Sequence, residues 1–398
     1  MSSAARKRSR NGSSSPTAKK AARKRHRPTS FTWTGQFRAE WARAYLDAHA
    51  PAGACVWDPF VGSGAVLFEC AARDRVEAHG TDVNPAAITM AGVASCANWT
   101  ADRRQRALDD LNRIVDRCSK PDGGGDDVAA QGRLIAERPD MSADSRLLAD
   151  ALLCLTEKTT GGVAAPITDV WPSFLTFVKT MPMTTARVMA ALRDARSSGL
   201  PDDSVDLVLT SPPYINVINY HQQYRSLMER VGWNVLSAAP SEIGSNRKNR
   251  SNRLLTVVQY CLDMSAVLTE MERVCKPNAR AVIIVGRESS VAGARIRNSH
   301  IVERLAIEAG RWRRTAPTEV RSFVNRFGRT IVEDIIHLTP DLDTAPTATA
   351  LEIALDALTD AMASASDDKR ALFAKAIAAA PSVLPSPLFD LAAVSVGP

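Results

Sequence analysis

An apolar tetrapeptide, Ala54-Cys55-Val56-Trp57, runs straight into Asp58-Pro59-Phe60-Val61-Gly62-Ser63-Gly64, and that turn runs straight into the helical pattern AVLFECAARDR. Strand, glycine turn, helix is the opening of a nucleotide-binding α/β unit. Glycine lets the chain turn sharply and lets a ligand approach the main chain closely, while the helix that follows presents free N–H groups at its start. A dinucleotide site would carry a third glycine where Leu67 stands, which argues against a pyrophosphate ligand. An acid leading the turn suits instead a ligand with an amine or a positive charge. The next strand-like run, Val76 to Thr81, ends in Asp82, placed to accept hydrogen bonds from ribose hydroxyls. Either acid alone fits an ordinary α/β turn; the pair points to a nucleoside ligand.

The second constraint lies further along. Asp206-Leu207-Val208-Leu209-Thr210 reads as a buried strand, and it ends in Ser211-Pro212-Pro213-Tyr214. A residue before proline is held extended, and proline lacks an N–H. The Ser211 hydroxyl and the Pro212 carbonyl therefore form a stiff acceptor array with a flat ring, Tyr214, beside it. An exocyclic amine on a nucleobase offers two N–H donors and a ring to stack, and matches this array group for group. A stiff loop with a packed tyrosine is the plainer alternative.

Around these motifs the chain divides into five parts. Residues 1–28 hold ten Lys and Arg and no acid, with almost no apolar residue, and read as a disordered basic tail. Such a tail either attracts nucleic acid by neutralising phosphates or only solubilises the chain. Its two basic clusters also fit a nuclear-import signal. Residues 29–99 form the cofactor-binding half, with a first helix through Trp41, Tyr45 and Leu46. Residues 100–185 break the α/β rhythm with helical patterns and read as an insertion, a candidate for target recognition. Residues 186–340 form the catalytic half: a helix near 184–193, the strand 205–210, a helix 254–274, a strand 279–286, and strand-like runs at 313–324 and 329–339. Residues 341–398 carry eight acids against three bases and place Leu351, Leu355, Leu358 and Met362 at helical spacing, an Ala-rich acidic helical appendage.

The formal charge of +7 is therefore a basic tail on a nearly neutral body. No run of 18 uncharged apolar residues is present, which rules out a membrane span, and the N-terminus has no apolar signal core, which argues against secretion. Seven scattered cysteines without CxxC pairing suit reduced thiols better than disulfides or a zinc site, so no metal is expected. The expected location is the cytoplasm, with the nucleoid, or the nucleus in a eukaryotic source.

DPFVGSG, GTDVNP and TSPPY, in that order, resemble the signature motifs of the S-adenosyl-L-methionine-dependent amino-methyltransferases of DNA. The TSPPY spelling is most similar to the N4-cytosine group and to some N6-adenine members. The resemblance covers about residues 31–340 outside the insertion. It implies an α/β fold of the class I methyltransferase type, Rossmann-like, with a mostly parallel seven-stranded sheet, here with a helical insertion and a helical C-terminal appendage. It implies S-adenosyl-L-methionine as cofactor, held by Asp58, Pro59, Phe60, Gly62, Ser63 and Gly64 at its methionine end and by Asp82 at the ribose. Asp194 matches the family acid near the adenine amine, and WTGQF (33–37) resembles the family's N-terminal cofactor segment, which brings in Phe37. Ser211, Pro212, Pro213 and Tyr214 would be catalytic.

By the same resemblance the partner is duplex DNA with the target base flipped out, and a paired restriction endonuclease is left open. Ala65 stands where a threonine often follows GSG, and the insertion is placed unlike the usual target-recognition domains. For contact with nucleic acid the best segment is GSNRKNRSNR (244–253), through Arg247, Lys248, Arg250 and Arg253; Arg311, Arg313 and Arg314 are weaker. His221 lies close enough to SPPY to line the site but reads as structural. The leading expectation is N4-methylation of cytosine in DNA; N6-methylation of adenine comes next. Methylation of RNA at guanine N2 and a silent nucleic-acid-binding module remain as rivals.

Overall fold

The computed structural model describes residues 31, 33, 38–118, 127–157, 165–215, 219–245, 249, 251–324 and 328–394. The basic tail, Phe37, Arg247, Lys248 and Arg250 lie outside the described residues.

Ten strands are described: β1 Cys55–Asp58, β2 Glu77–Asp82, β3 Val188–Leu192, β4 Val205–Thr210, β5 Cys275–Gly286, β6 Ser289–Val291, β7 Ala294–Ile296, β8 Trp312–Arg314, β9 Glu319–Val324 and β10 Thr330–Pro340. The main sheet runs β3-β2-β1-β4-β5-β10-β8, with β9 also on β10; β6 and β7 form a separate hairpin. β1 to β5 are parallel, and β10 is antiparallel to β5, β8 and β9. This is the doubly wound, Rossmann-like sheet expected of a class I methyltransferase. The strand order reverses between β1 and β4, and a crevice opens at the carboxyl ends of the strands at such a switch point.

Both faces of the sheet are covered, so its inner strands are apolar throughout rather than alternating: Leu207 to Leu209 and Ala281 to Val285 are all fully buried. Successive side chains point to opposite faces. Val56 accordingly joins the core with Leu67, Met90, Leu108 and Phe174, while Trp57 joins the core with Val208, Tyr260, Ile283 and Phe373.

The segment read as an insertion holds four helices, Ala101–Cys118, Asp127–Glu137, Ala143–Thr156 and Ile167–Thr180. Leu108, Leu111, Leu148 and Leu152 on them are fully buried in the first of those cores. Buried Arg104 on the first of them donates to the carbonyls of Met181 (2.5 Å), at the end of the last, and Cys96 (2.6 Å), in the helical turn Val93–Asn98 that precedes them. Beyond the sheet, helix Ala350–Ala363 opens with a capping box between Thr349 and Glu352 and buries Ile353, Ala354 and Leu358. Leu351, Leu355 and Met362 only pack against the core of Trp57 from its margin.

Two expectations are corrected. The helix expected near 184–193 is strand β3, paired in register with β2 from Ala78↔Val188 to Asp82↔Leu192. Ala, Met and Leu favour a helix locally, but only pairing with β2 satisfies the backbone of this short segment. The run 313–324 is two strands, since Pro317 between them lacks a ladder N–H. β9 and β8 share one edge of β10, against Thr330–Ile335 and Leu338–Pro340. The sheet thus has eight strands in seven positions. All seven cysteines are free thiols, and no helix among the described residues is long and apolar enough to cross a membrane.

Candidate active site

β1, β2 and β4 end side by side in Asp58, Asp82 and Thr210. Asp58 is buried and accepts two hydrogen bonds at Oδ1, from the Thr210 hydroxyl (2.7 Å) and the Phe60 N–H (3.2 Å). Burial nevertheless pushes its carboxyl up to about 7, against the pull of those bonds. Asp82 accepts from the N–H of Asn84 (2.9 Å) and, across the glycine turn, from the N–H of Gly62 (3.2 Å). Enclosure in the cleft pushes it to about 7 as well; Asp82 is only half-buried, so water in the cleft moderates the effect. Asn84 caps the helix Pro85–Gly92 by accepting from the Ala86 N–H, and Pro85 opens that helix.

The turn is pinned from outside. The Val61 N–H donates to the Thr81 carbonyl (3.0 Å) and the Thr81 hydroxyl to the Pro59 carbonyl (3.1 Å). Gly64 (φ +90°) packs behind the turn on the helix Pro85–Gly92, where a Cβ would sit 2.7 Å from the Cα of Ala91. Gly62 lies under the indole of Trp33, which stacks on Tyr220 and Tyr224.

A cavity opens over these strand ends, spanning about 910 Å³ when the space open to solvent at its mouth is counted. It is lined by Asp58, Pro59, Phe60, Gly62, Ser63, Asp82, Asp194, Ser211, Pro212, Pro213 and Tyr214. Trp33, Arg193, Tyr220, Ser241, Glu242 and Ile243 also line it and were not legible as site residues. Trp33 belongs to the same WTGQF segment as Phe37, so the segment is legible in the sequence and this residue of it is not. Of the proposed cofactor residues, Gly64 supports the turn from behind. Of the proposed nucleic-acid contacts, Arg253 is exposed and does not line the cavity. The loop that carries it leaves the site from Gly244, which is packed against the Tyr214 carbonyl.

Several groups suit a polar ligand. The Ser63 hydroxyl is buried in the wall with no hydrogen-bond partner in the protein, a cost that a polar ligand atom would remove. Two carboxylates at the strand ends offer acceptors for hydroxyls and cations. Asp194 is different, because its carboxylate is already filled. It accepts from Arg196 N and Nε at Oδ1 (both 2.9 Å), and from Arg196 Nη2 (2.7 Å) and Phe389 N (3.0 Å) at Oδ2. An adenine amine would reach Asp194 only by displacing one of them.

At the other end, the Tyr214 ring lies over Gly286, where a Cβ would come within 2.8 Å of it. Its hydroxyl donates to Glu333 (2.8 Å). The Tyr260 hydroxyl donates to the Pro213 carbonyl (3.1 Å), which stiffens the loop. His221 is buried and pairs with Glu242 (2.6 Å), so the histidine acts on the cavity wall through that acid.

Away from the cavity, at the amino ends of β1 and β2, Cys55, Glu77 and His79 bring ligand-type atoms within 4.8 Å of one another. Glu77 and His79 already satisfy each other (2.8 Å), and burial pushes the Cys55 thiol up to about 12.

No family model and no curated protein matches the chain. Among solved structures it is similar to TrmN from Thermus thermophilus (13% identity, TM-score 0.33, covering 76% of this chain and 49% of that one). It is similar also to a SAM-dependent methyltransferase from Methanosarcina mazei (13%, TM-score 0.35, 75% and 97%). A third is geranyl diphosphate C-methyltransferase from Streptomyces coelicolor (8%, TM-score 0.34, 76% and 79%). The chain thus spans about half the length of TrmN. Likenesses of this size assign it no substrate.

Proposed function

We propose that this chain is an S-adenosyl-L-methionine-dependent methyltransferase acting on the exocyclic amine of a nucleobase in DNA, N4 of cytosine in the first place. The reading is carried by one observation: the acceptor pair Ser211 and Pro212, with the Tyr214 ring, shares a cavity with Asp58, Asp82 and the unpartnered Ser63 hydroxyl. One end suits a cationic amino acid and ribose, the other an aromatic amine. The cofactor would supply a methyl group on a positively charged sulfur.

The residues of the chain meet the remaining demands. An aromatic amine is a weak nucleophile because its lone pair is delocalised into the ring. Acceptors at Ser211 and Pro212 draw its two N–H groups out of the ring plane and offset the positive charge that grows on nitrogen. Preorganised groups of this kind are usually the largest catalytic contribution, and alignment of the two reactants adds to it. Tyr214 supplies a face for a base turned out of its duplex, and the loop through Arg253 supplies cations for phosphates.

Ser211→Ala is expected to slow methyl transfer by about 10²–10³-fold while cofactor affinity and melting temperature stay near those of the wild type. An unchanged rate would remove the acceptor array from the mechanism. The assignment itself is tested by incubating the protein with labelled S-adenosyl-L-methionine and duplex DNA or RNA, then identifying the modified nucleoside by mass spectrometry. N4-methylcytosine is the expected product. N6-methyladenine keeps the chemistry and changes the base, label in RNA alone moves the substrate, and no transfer to either overturns the reading.

The acids at the strand ends add a pH dependence. Their folded-state pKa values of about 7 lie above the ordinary carboxylate value, so the free protein takes up protons as pH falls below about 7. A cationic ligand with hydroxyl donors prefers the ionised acids and expels those protons, so affinity falls with pH in that window. With one proton expelled, the cofactor should bind roughly tenfold more weakly near pH ~6 than near pH ~8. Calorimetric titration at both values checks this; equal affinities would contradict it.

A further inference from the structure

We infer that Cys55, Glu77 and His79 form a binding site for a borderline-soft divalent cation, zinc in the first place, that clamps β1 to β2 at the end of the sheet away from the cavity. The inference stands apart from the methyltransferase reading and does not depend on it. One ligand atom from each residue, the Cys55 Sγ, a Glu77 carboxylate oxygen and a His79 ring nitrogen, lies within 4.8 Å of the other two. Strand register brings them together. Cys55 pairs with Glu77 and Trp57 with His79 along parallel β1 and β2, and residues two apart on a strand share a face. All three side chains therefore leave one face of the sheet. Cys55 and Glu77 open their strands, whereas Asp58 and Asp82, at the far ends of the same two strands, line the cavity. No spacing motif marks such a site, because its ligands sit on two strands rather than in one loop.

The ligand set selects the cation. Thiolate, imidazole and carboxylate together suit zinc, whereas magnesium and calcium take oxygen ligands. Tetrahedral bonds of zinc length hold nitrogen and oxygen ligands about 3.3 Å apart, and sulfur about 3.6 Å from either. His79 Nε2 and Glu77 Oε1 are 2.8 Å apart, so they need to open by only about half an ångström. The sulfur needs to approach by no more than about 1.2 Å. The cation exchanges the His79–Glu77 hydrogen bond for a bond to each partner. Cys55 binds as the thiolate, its proton passing to water, and any proton on His79 Nε2 shifts to Nδ1. Two anionic ligands against a divalent charge leave no net charge on a half-buried site.

The surroundings fit. The Glu77 side chain is 42% exposed and the His79 side chain 10%, so a cation enters from the Glu77 side and ends against the sheet. The Cys55 N–H donates to Asp206 Oδ2 (2.8 Å), and Lys276 Nζ holds both oxygens of that acid (2.8 Å each). That arrangement fixes the Cys55 backbone and keeps Asp206 out of the ligand set, which leaves the fourth position to water.

The test uses the full chain, reduced and stripped with a chelator, and cobalt(II) as the probe. The wild type should bind one Co2+ with a near-ultraviolet thiolate-to-cobalt band, and an equivalent of Zn2+ should remove the band. Cys55→Ser should lose the band and bind Zn2+ at least about 10²-fold more weakly, and Glu77→Gln about 10-fold more weakly. At about 100 times its Kd, Zn2+ should raise the melting temperature of the wild type by about 3 °C and leave that of Cys55→Ser unchanged. The other six cysteines are buried, so a band that survives Cys55→Ser puts the metal elsewhere and overturns the site. A wild type with no thiolate band, or one that Mg2+ saturates as readily as Zn2+, overturns it too. If Cys55→Ser does not fold, Glu77→Gln decides alone, and wild-type Zn2+ affinity in that variant overturns the site.

Discussion

Gly64→Val is expected to lower the melting temperature by about 5 °C and to abolish cofactor binding. Gly64 sits at φ +90° and ψ 21° just before the helix Ala65–Ala71, a conformation that costs an L-residue about 1–2 kcal/mol. A Cβ there would meet the Cα of Ala91 at 2.7 Å, its Cβ at 3.0 Å and the Phe68 ring at 3.3 Å. The nearest of these atoms is helix backbone, so relief requires the helix Pro85–Gly92 to move, and overpacking of this kind costs about 1–3 kcal/mol more. Together roughly 2–5 kcal/mol would be lost from a domain that holds on the order of 5–15. The displaced helix carries Asn84 at its cap, and Asn84 positions Asp82, so the ribose acceptor moves with it.

Two milder variants separate the contributions. Gly53 has φ +93° and nothing within 4 Å of its would-be Cβ, so Gly53→Ala should show the conformational cost alone. Gly62→Ala meets the side chain of Trp33 first, at 2.9 Å, and that indole can shift at the expense of the cavity wall. Calorimetry on the three, with cofactor titration, should rank Gly64→Val well below the other two in stability. A Gly64→Val protein that melts within about 2 °C of the wild type would mean the turn does not pack as described.

That ranking bears on what a sequence can show. The turn 58–64, Asp82 and the 211–214 loop were legible because each carries its own conformational demand: glycines with positive φ, an acid at a strand end, consecutive prolines. Such signals are local, and the elements around them could be placed from periodicity. β3 was misread because its residues favour a helix locally, and its identity depends on pairing with β2, more than a hundred residues earlier. The same holds for the site. Glu333, 119 residues from Tyr214, carries no motif, and the bond that joins them exists only once β10 lies beside β5. Glu242 and Tyr220 arrive in the cavity wall in the same way. Asp194 shows the converse: the acid was found where expected, but its four hydrogen bonds come from Arg196 and from Phe389, and the latter could not be inferred from the acid's own surroundings.

Arg196 gives the second large effect. It is 4% exposed and forks onto Asp194, donates to Asp263 (3.0 Å), and donates to the carbonyls of Ser386 (2.7 Å) and Pro387 (2.8 Å). Asp263 also holds Ser386, through its N–H (2.7 Å) and its hydroxyl (2.5 Å). One cation thus joins the cavity rim, the helix Leu255–Val274 and the C-terminal segment. Arg196→Ala would leave two buried carboxylates without their counter-charge, which costs about 3–5 kcal/mol and should lower the melting temperature by about 5 °C. The loss should be local first: residues 384–394 should become sensitive to limited proteolysis before the sheet melts, and the cofactor should bind more weakly because Arg193, Asp194 and Ala195 line the cavity. Arg196→Lys keeps the charge but not the planar fork and should fall between the two. Neutralising both acids alongside Arg196→Ala should recover part of the stability, because the cost lies in unpaired charge. Arg196→Ala with wild-type melting and a protected C-terminal segment would show that the cluster closes the fold without holding it, and would leave the rim of the cavity independent of residues 384–394.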